Sequence, residues 1–206
     1  MAKRFNVSKA GDLIALSYEE RLGPRIKKSL DRNGVQAYFL FDKTLVIPGS
    51  NEVSDYTDFN LRLRKVKHTD GRKYHNGFLS HAKQVLKWLD EKSLKPVRIT
   101  GHSLGAASAQ IVGSNLAKPT IAFAAPKVLH GTQRVDGEGW VANFQRVDDP
   151  VCNLPLGDEN FRHIGSKFWM SSPVQEGGGL KHKVKHYLTL INDKDSNTKI
   201  PRIWPR

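Results

Sequence analysis

Apolar positions along this chain alternate between two spacings, and the alternation predicts its elements. Ala10 to Leu22 reads as an opening helix, followed by a looser basic stretch to Asn33. Val35 to Phe41 is rich in β formers, and Asp42-Lys43 separates it from Thr44 to Ile47, as in a strand-turn-strand unit. Pro48-Gly49-Ser50 breaks the pattern, and Asn51 to Asp70 is polar with isolated apolar residues, which predicts a loop or short helix. From Gly77 the residues Phe78, Ala82, Val85, Leu86 and Leu89 recur at helical spacing, so a helix is expected to about Asp90. Pro96 to Thr100 reads as a strand, Leu104 to Leu116 as an alanine-rich helix, and Thr120 to Ala125 as a strand stopped by Pro126. Trp140 to Val147 is again strand-like. His186 to Ile191 fits either a last strand or a helix start, and Asn192 to Arg206 reads as a polar tail. Strand, helix and strand at these intervals predict an α/β fold, with a mostly parallel central sheet and helices on its faces.

Length and composition add bounds. At 206 residues the chain suits one domain spanning 1–206, long enough to bury a core without disulfides or metals. No apolar run approaches the length of a transmembrane span. Leu13-Ile14-Ala15-Leu16 is too short for a signal-peptide core, which leads to the expectation of a cytoplasmic protein, or one released without a classical signal. Cys152 is the only cysteine, so paired-thiol chemistry is excluded and a buried small hydrophobe is the expectation. The net charge of +13 concentrates in Leu61 to Lys73 and in Lys181 to Arg206. Those segments suit nucleic acid, an anionic membrane surface or an acidic substrate, and equally suit a solvated face.

Gly101-His102-Ser103-Leu104-Gly105 lies between a strand candidate and a helix candidate. That is the setting of a nucleophile elbow, where a serine sits in a strained strand-to-helix turn with its hydroxyl presented to a substrate. Its flanking glycines let strand and helix approach closely. Such a serine needs a base, and the base an orienting acid, in the chain order Ser, acid, His. Downstream histidines are His130, His163, His182 and His186; the acids include Asp136, Glu138, Asp148, Asp149, Asp158 and Glu159. Asp149 attracts attention because it follows the strand candidate ending near Val147, and strand carboxyl ends form the ligand face of open α/β sheets. His102 belongs to the turn itself and reads as structural.

From near Phe39 to Leu190 these residues resemble the fungal-type triacylglycerol lipases, the class 3 lipase family of the α/β-hydrolases. Ile99 to Ala107 is similar to the family's core motif, and Phe123-Ala124-Ala125-Pro126-Lys127-Val128 to its next strand. Phe144 to Pro155 resembles the segment supplying the catalytic acid, which implies Asp149 rather than Asp148. Phe161 to Trp169 resembles a stretch whose histidine is not the base, so His163 is expected to support the fold. Lys185-His186-Tyr187-Leu188 resembles the site of the base, which implies His186, with His182 as the alternative. Val46 to Ser50 looks like the oxyanion segment, so the Ser50 and Leu104 amides are expected to bind the oxyanion. Asp55-Tyr56, Asp58 and His75-Asn76-Gly77-Phe78 continue the likeness. Pro48 stands where the family usually has Arg, and Tyr56 where Trp is common. The expected lid, about Asn51 to Phe59, carries little apolar surface.

The resemblance implies hydrolysis of a carboxylic ester, with acylglycerol and phospholipid among the candidates, by acyl transfer to Ser103, with no metal or cofactor. Its polar lid widens the expectation from lipase to esterase. The alternative is a hydrolase fold without catalysis, binding polyanions through its basic segments or serving structurally.

Overall fold

The structure is a computed structural model that describes residues 4–49, 65–67, 71–174, 179–193, 195, 197 and 199–205. In chain order its strands are β1 (Phe5–Asn6), β2 (Ile26–Arg32), β3 (Val35–Leu40), β4 (Thr44–Ile47), β5 (Lys65–Lys67), β6 (Lys73–His75) and β7 (Arg98–His102). They continue as β8 (Thr120–Phe123), β9 (Leu129–His130), β10 (Val141–Arg146), β11 (Phe161–Arg162), β12 (Ser166–Met170) and β13 (Ile203–Trp204). The helices are α1 (Val7–Tyr18), α2 (Asn76–Glu91), α3 (Leu104–Leu116) and α4 (Val184–Asn192).

Among the described residues the main sheet has seven strands in the order β12-β10-β8-β7-β4-β3-β2. Pairings from β12 through β4 are parallel; β4-β3 and β3-β2 are antiparallel. The expected mostly parallel sheet with helices on both faces is therefore present. All four residues of β4 are buried, the signature of a strand covered on both faces. Leu45 and Ile47 join the core that holds α2 and α3, whereas Val46 joins the core that holds α1 and α4. Successive side chains point to opposite faces, so four apolar-leaning residues serve two cores. Helix α2 buries Phe78, Leu79, Ala82, Val85, Trp88 and Leu89 on one stripe. Helix α3 is buried from Leu104 through Ser114, and its small residues let it nest between α2 and the sheet.

Two expectations fail for identifiable reasons. The basic stretch before Asn33 contains β2, an edge strand whose Lys27, Lys28, Asp31 and Arg32 are exposed. Charged edge strands resist pairing with other chains, and the same charges hide the strand from a hydrophobicity reading. The stretch read as a polar tail is partly built into the fold. β13 pairs with β1, Trp204 is buried, and its indole Nε1 donates to the Trp140 carbonyl at 2.7 Å. Ile200, Pro201 and Trp204 are buried and anchor a segment in which polar residues predominate. A small antiparallel sheet, β11-β9-β6-β5, lies apart from the main one.

Several histidines are buried in this framework. His81 shares a 2.6 Å hydrogen bond with Ser108 between α2 and α3, and His163 Nε2 donates to the Ala125 carbonyl at 2.8 Å. Burial holds both imidazoles down at about 4, and holds His102 down at about 3. In the unfolded chain each would take up a proton near pH 6.5, so between those values the unfolded state binds more protons. Stability is accordingly expected to be intact above that range and to fall as the pH drops toward 4, by up to about 1.4 kcal/mol per pH unit for each histidine. Urea unfolding at a series of pH values tests this; a flat profile from neutral to acid would contradict it.

Candidate active site

The site is assembled at the carboxyl ends of β4, β7 and β10. Ser103 follows β7 directly and caps α3 with φ 63° and ψ −126°, a left-handed backbone that a side chain rarely adopts. Neighbouring elements hold the strained turn. The Ser103 amide donates to the Phe123 carbonyl at 3.0 Å, and the Ser103 carbonyl accepts from the Ala106 and Ala107 amides. Gly105 permits the close approach of α3 to β4, because a Cβ there would lie 2.0 Å from the Ile47 carbonyl oxygen.

Ser103 Oγ and His182 Nε2 are 2.5 Å apart, and His182 Nδ1 lies 2.8 Å from Asp149 Oδ2. All three side chains are buried. Asp149 opens the short turn Pro150–Asn153 and accepts the Val151 amide on Oδ1 at 3.0 Å, as capping aspartates do. Its Oδ2 also accepts the Tyr187 hydroxyl at 2.6 Å. Burial pushes the Asp149 carboxyl up, but the hydrogen bonds from His182, Tyr187 and Val151 and the attraction of His182 outweigh it. The carboxyl consequently stays below its ordinary range and ionised. Because a carboxylate only accepts, the proton between it and the imidazole belongs to His182 Nδ1, leaving Nε2 as the acceptor for the Ser103 hydroxyl.

The geometry brings His182, not His186, to Ser103. Tyr187 faces inward from α4 onto Asp149, and adjacent helix residues point in directions about 100° apart, so His186 cannot share that face. His186 is half-buried, with its carbonyl accepting Arg146 Nη1 at 3.0 Å. The neighbouring Asp148 is engaged elsewhere, held by Arg146 through two bonds of 2.8 and 2.7 Å. Of the remaining candidates, Glu138 pairs with Arg162 at 2.6 Å and Asp158 with His130 at 3.4 Å, while Asp136 and Glu159 are exposed. Leu104 starts α3, where first-turn amides have no acceptor inside the helix. Ser50 and the expected lid from Asn51 to Phe59 lie outside the described residues.

Sequence reasoning missed Tyr187 and Tyr18 as polar members of the site. Tyr187 sits at an inward helical position among Val184, Leu190 and Ile191, where a tyrosine reads as core. Tyr18 ends α1, far from the motif in sequence, and no local signal marks it. Cys152 is buried beside Tyr187, 3.3 Å from its hydroxyl, and donates to Gln145 Oε1 at 2.9 Å. Burial and the Asp149 charge push its thiol up to about 12, which removes it as a nucleophile.

A mostly parallel sheet flanked by helices, with a serine on a strained strand-to-helix turn, defines an α/β-hydrolase fold. The description of the family Lipase (class 3) matches residues 44–203, and the chain belongs to that family. The likeness read from the sequence is thereby borne out. Among named relatives, the secreted mono- and diacylglycerol lipase 1 of Fusarium solani is 30% identical over 174 residues, covering 72% of this chain and 50% of the relative. Secreted mono- and diacylglycerol lipase A of Penicillium cyclopium is 30% identical over 83 residues, 36% of this chain and 27% of the relative. This chain thus spans half or less of the length of those relatives. In fold it is similar to the triacylglyceride lipase of Rhizomucor miehei, with a TM-score of 0.62 and 20% identity over 80% of this chain and 78% of that one.

The names of these relatives overturn the expectation of a cytoplasmic protein, since both are described as secreted. The reason for the error is physical. Leu13 and Ile14 are core residues of α1, so their apolar run reports packing inside the fold and carries no information about export. No helix among the described residues is long and apolar enough to cross a membrane.

The strained serine carries a testable cost. Replacing Ser103 by Gly frees the positive φ, whereas replacing it by Ala keeps the Cβ and the strain. Ser103→Gly is expected to be more stable than Ser103→Ala by about 1–3 kcal/mol in denaturant unfolding. Equal stabilities would show that the turn holds no strain.

Proposed function

We propose that this chain hydrolyses the ester bonds of acylglycerols, with Ser103 as nucleophile, His182 as general base and acid, and Asp149 as the group that orients and stabilises the imidazolium. The observation that carries this reading is the continuous hydrogen-bonded line from Ser103 Oγ through His182 to Asp149, in a chain of the class 3 lipase family. Ser103 Oγ attacks the ester carbonyl carbon as its proton passes to His182 Nε2. The tetrahedral oxyanion collapses, the alkoxide leaves with the proton from His182, and an acyl-serine remains. Water attacks the acyl carbon, giving its proton to His182, and the serine departs with that proton as the fatty acid is released. The Leu104 amide, at the start of α3, serves as one oxyanion donor in this reading, with Ser50 as the second, the pair implied by the family motif.

Acylglycerol is the favoured ester because the relatives named above are mono- and diacylglycerol lipases. Large apolar side chains left exposed near the site in sequence and strand register support the same choice. Val147 is 60% exposed, Trp169 41% and Leu180 42%. Val147 continues the β10–β12 ladder through its amide bond to the Met170 carbonyl, and Leu180 lies two residues before His182. The exposed Lys183 and Lys185 beside them favour a lipid surface with negative charge.

Release of fatty acid from a mono- or diacylglycerol tests the reading. Ser103→Ala and His182→Ala are each expected to lower kcat on the order of 10⁴-fold or more, and Asp149→Asn about 10⁴-fold. His186→Ala should stay within about threefold of the parent, as a change outside the reacting groups. A Ser103→Ala protein as fast as the parent would end the proposal. Loss of activity in His186→Ala with His182→Ala spared would move the base to His186.

A further inference from the structure

His182 stands outside regular structure, two residues before α4 begins at Val184. Its hydrogen bond to Asp149 orients the ring, but leaves the main chain that carries it to be held by something else. His102 supplies that contact. Its Nε2 lies 2.8 Å from the His182 carbonyl oxygen, and the two rings are 4.9 Å apart between centroids. A carbonyl oxygen can only accept, so the proton is on His102 Nε2. Burial holds this imidazole down at about 3, so it is neutral and its Nδ1 is a bare acceptor. Nδ1 meets the Tyr18 hydroxyl at 2.8 Å, and the Tyr18 oxygen in turn accepts the Gly49 amide at 2.8 Å. Donation therefore runs in a single direction, from Gly49 through Tyr18 and His102 to His182. Gly49 itself abuts the nucleophile, since a Cβ there would lie 2.7 Å from Ser103 Cβ.

We infer that His102 is a positioning residue, which with Tyr18 ties the main chain of His182 to the end of β4 and so sets the distance between the base and Ser103. The inference rests on the reading of Ser103 and His182 as nucleophile and base. His102 cannot take the base's place, because both ring nitrogens are committed and the ring is fully buried against protonation. Its neutrality also matters. Catalysis makes an imidazolium at His182, and a second positive ring 4.9 Å away would oppose it. Placing the anchor on the residue before the nucleophile joins the two reacting side chains through one rigid strand end.

Two amide substitutions separate the two bonds of His102. Gln places an N–H near the position of Nε2 and keeps the donor to His182, whereas Asn places an oxygen near Nδ1 and keeps only the acceptor for Tyr18. With a soluble short-chain ester, His102→Asn is expected to lose about 100-fold in kcat, the scale of a misplaced reacting group, with KM within about twofold. His102→Gln should keep kcat within about tenfold of the parent at a similar unfolding midpoint. Equal losses in both variants that track their unfolding midpoints would overturn the inference in favour of a purely structural role, as would a His102→Asn protein at the parent rate. Should neither His102 variant fold, Tyr18→Phe removes only a hydroxyl. A drop of about tenfold in kcat at unchanged KM supports the network, and an unchanged kcat overturns it. Labelling with a serine-directed phosphonate runs alongside. If the parent does not label at Ser103, the reading of the site has failed; if it labels and the variants match it in rate, the inference has failed.

Discussion

The contact on which this molecule depends is the meeting of α3 with the end of β4, where Gly105 leaves no room for a Cβ against the Ile47 carbonyl. That approach forces the chain to turn within one residue after β7, and Ser103 takes the left-handed backbone the turn requires. The sheet holds the turn in place. β7 is flanked by parallel β4 and β8, and the Ser103 amide is fastened to the Phe123 carbonyl of β8. Strain at one residue is stable only when its neighbours over-determine it, and here a strand on each side and a helix behind do so.

Around that turn, polar groups are buried and nearly all directed. Asp149 receives three donors, so it remains a carboxylate where burial alone would neutralise it. Arg146, almost entirely buried, clamps Asp148 and the carbonyl of His186, so the neighbouring carboxylate is engaged away from His182. Tyr187 is turned toward Asp149. In a dry interior each of these bonds is stronger than in water, and each group left unpaired would be costly, so the arrangement is specified as a whole. Buried neutral histidines belong to the same economy, and they make the folded state sensitive to acid.

Local signals carried much of the fold. Thr44 to Ile47 and Leu104 to Leu116 were legible to the residue because a continuous apolar run and an alanine-rich run need no distant partner to declare themselves. The helix over α2 was legible from its apolar stripe. β2 was not, because its lysines serve the exposed edge rather than the core. Nor was β13, whose place depends on Trp204 finding β1 and the Trp140 carbonyl across almost the whole chain.

At the site the division is sharper. The family, the elbow around Ser103 and the candidacy of Asp149 at the end of β10 are legible in the chain alone, because each is written in contiguous residues with a local backbone requirement. Which histidine meets Ser103 depends on how α4 packs against the sheet. His182 and His186 lie four residues apart in similar basic surroundings, and sequence likeness favoured the one beside Tyr187. Helix α4 turns Tyr187 onto Asp149, so His186 must point elsewhere, and His182, in the loop before the helix, reaches the serine. The direction of a side chain on a helix is set by the packing of that helix against distant strands, and no short stretch of sequence contains it.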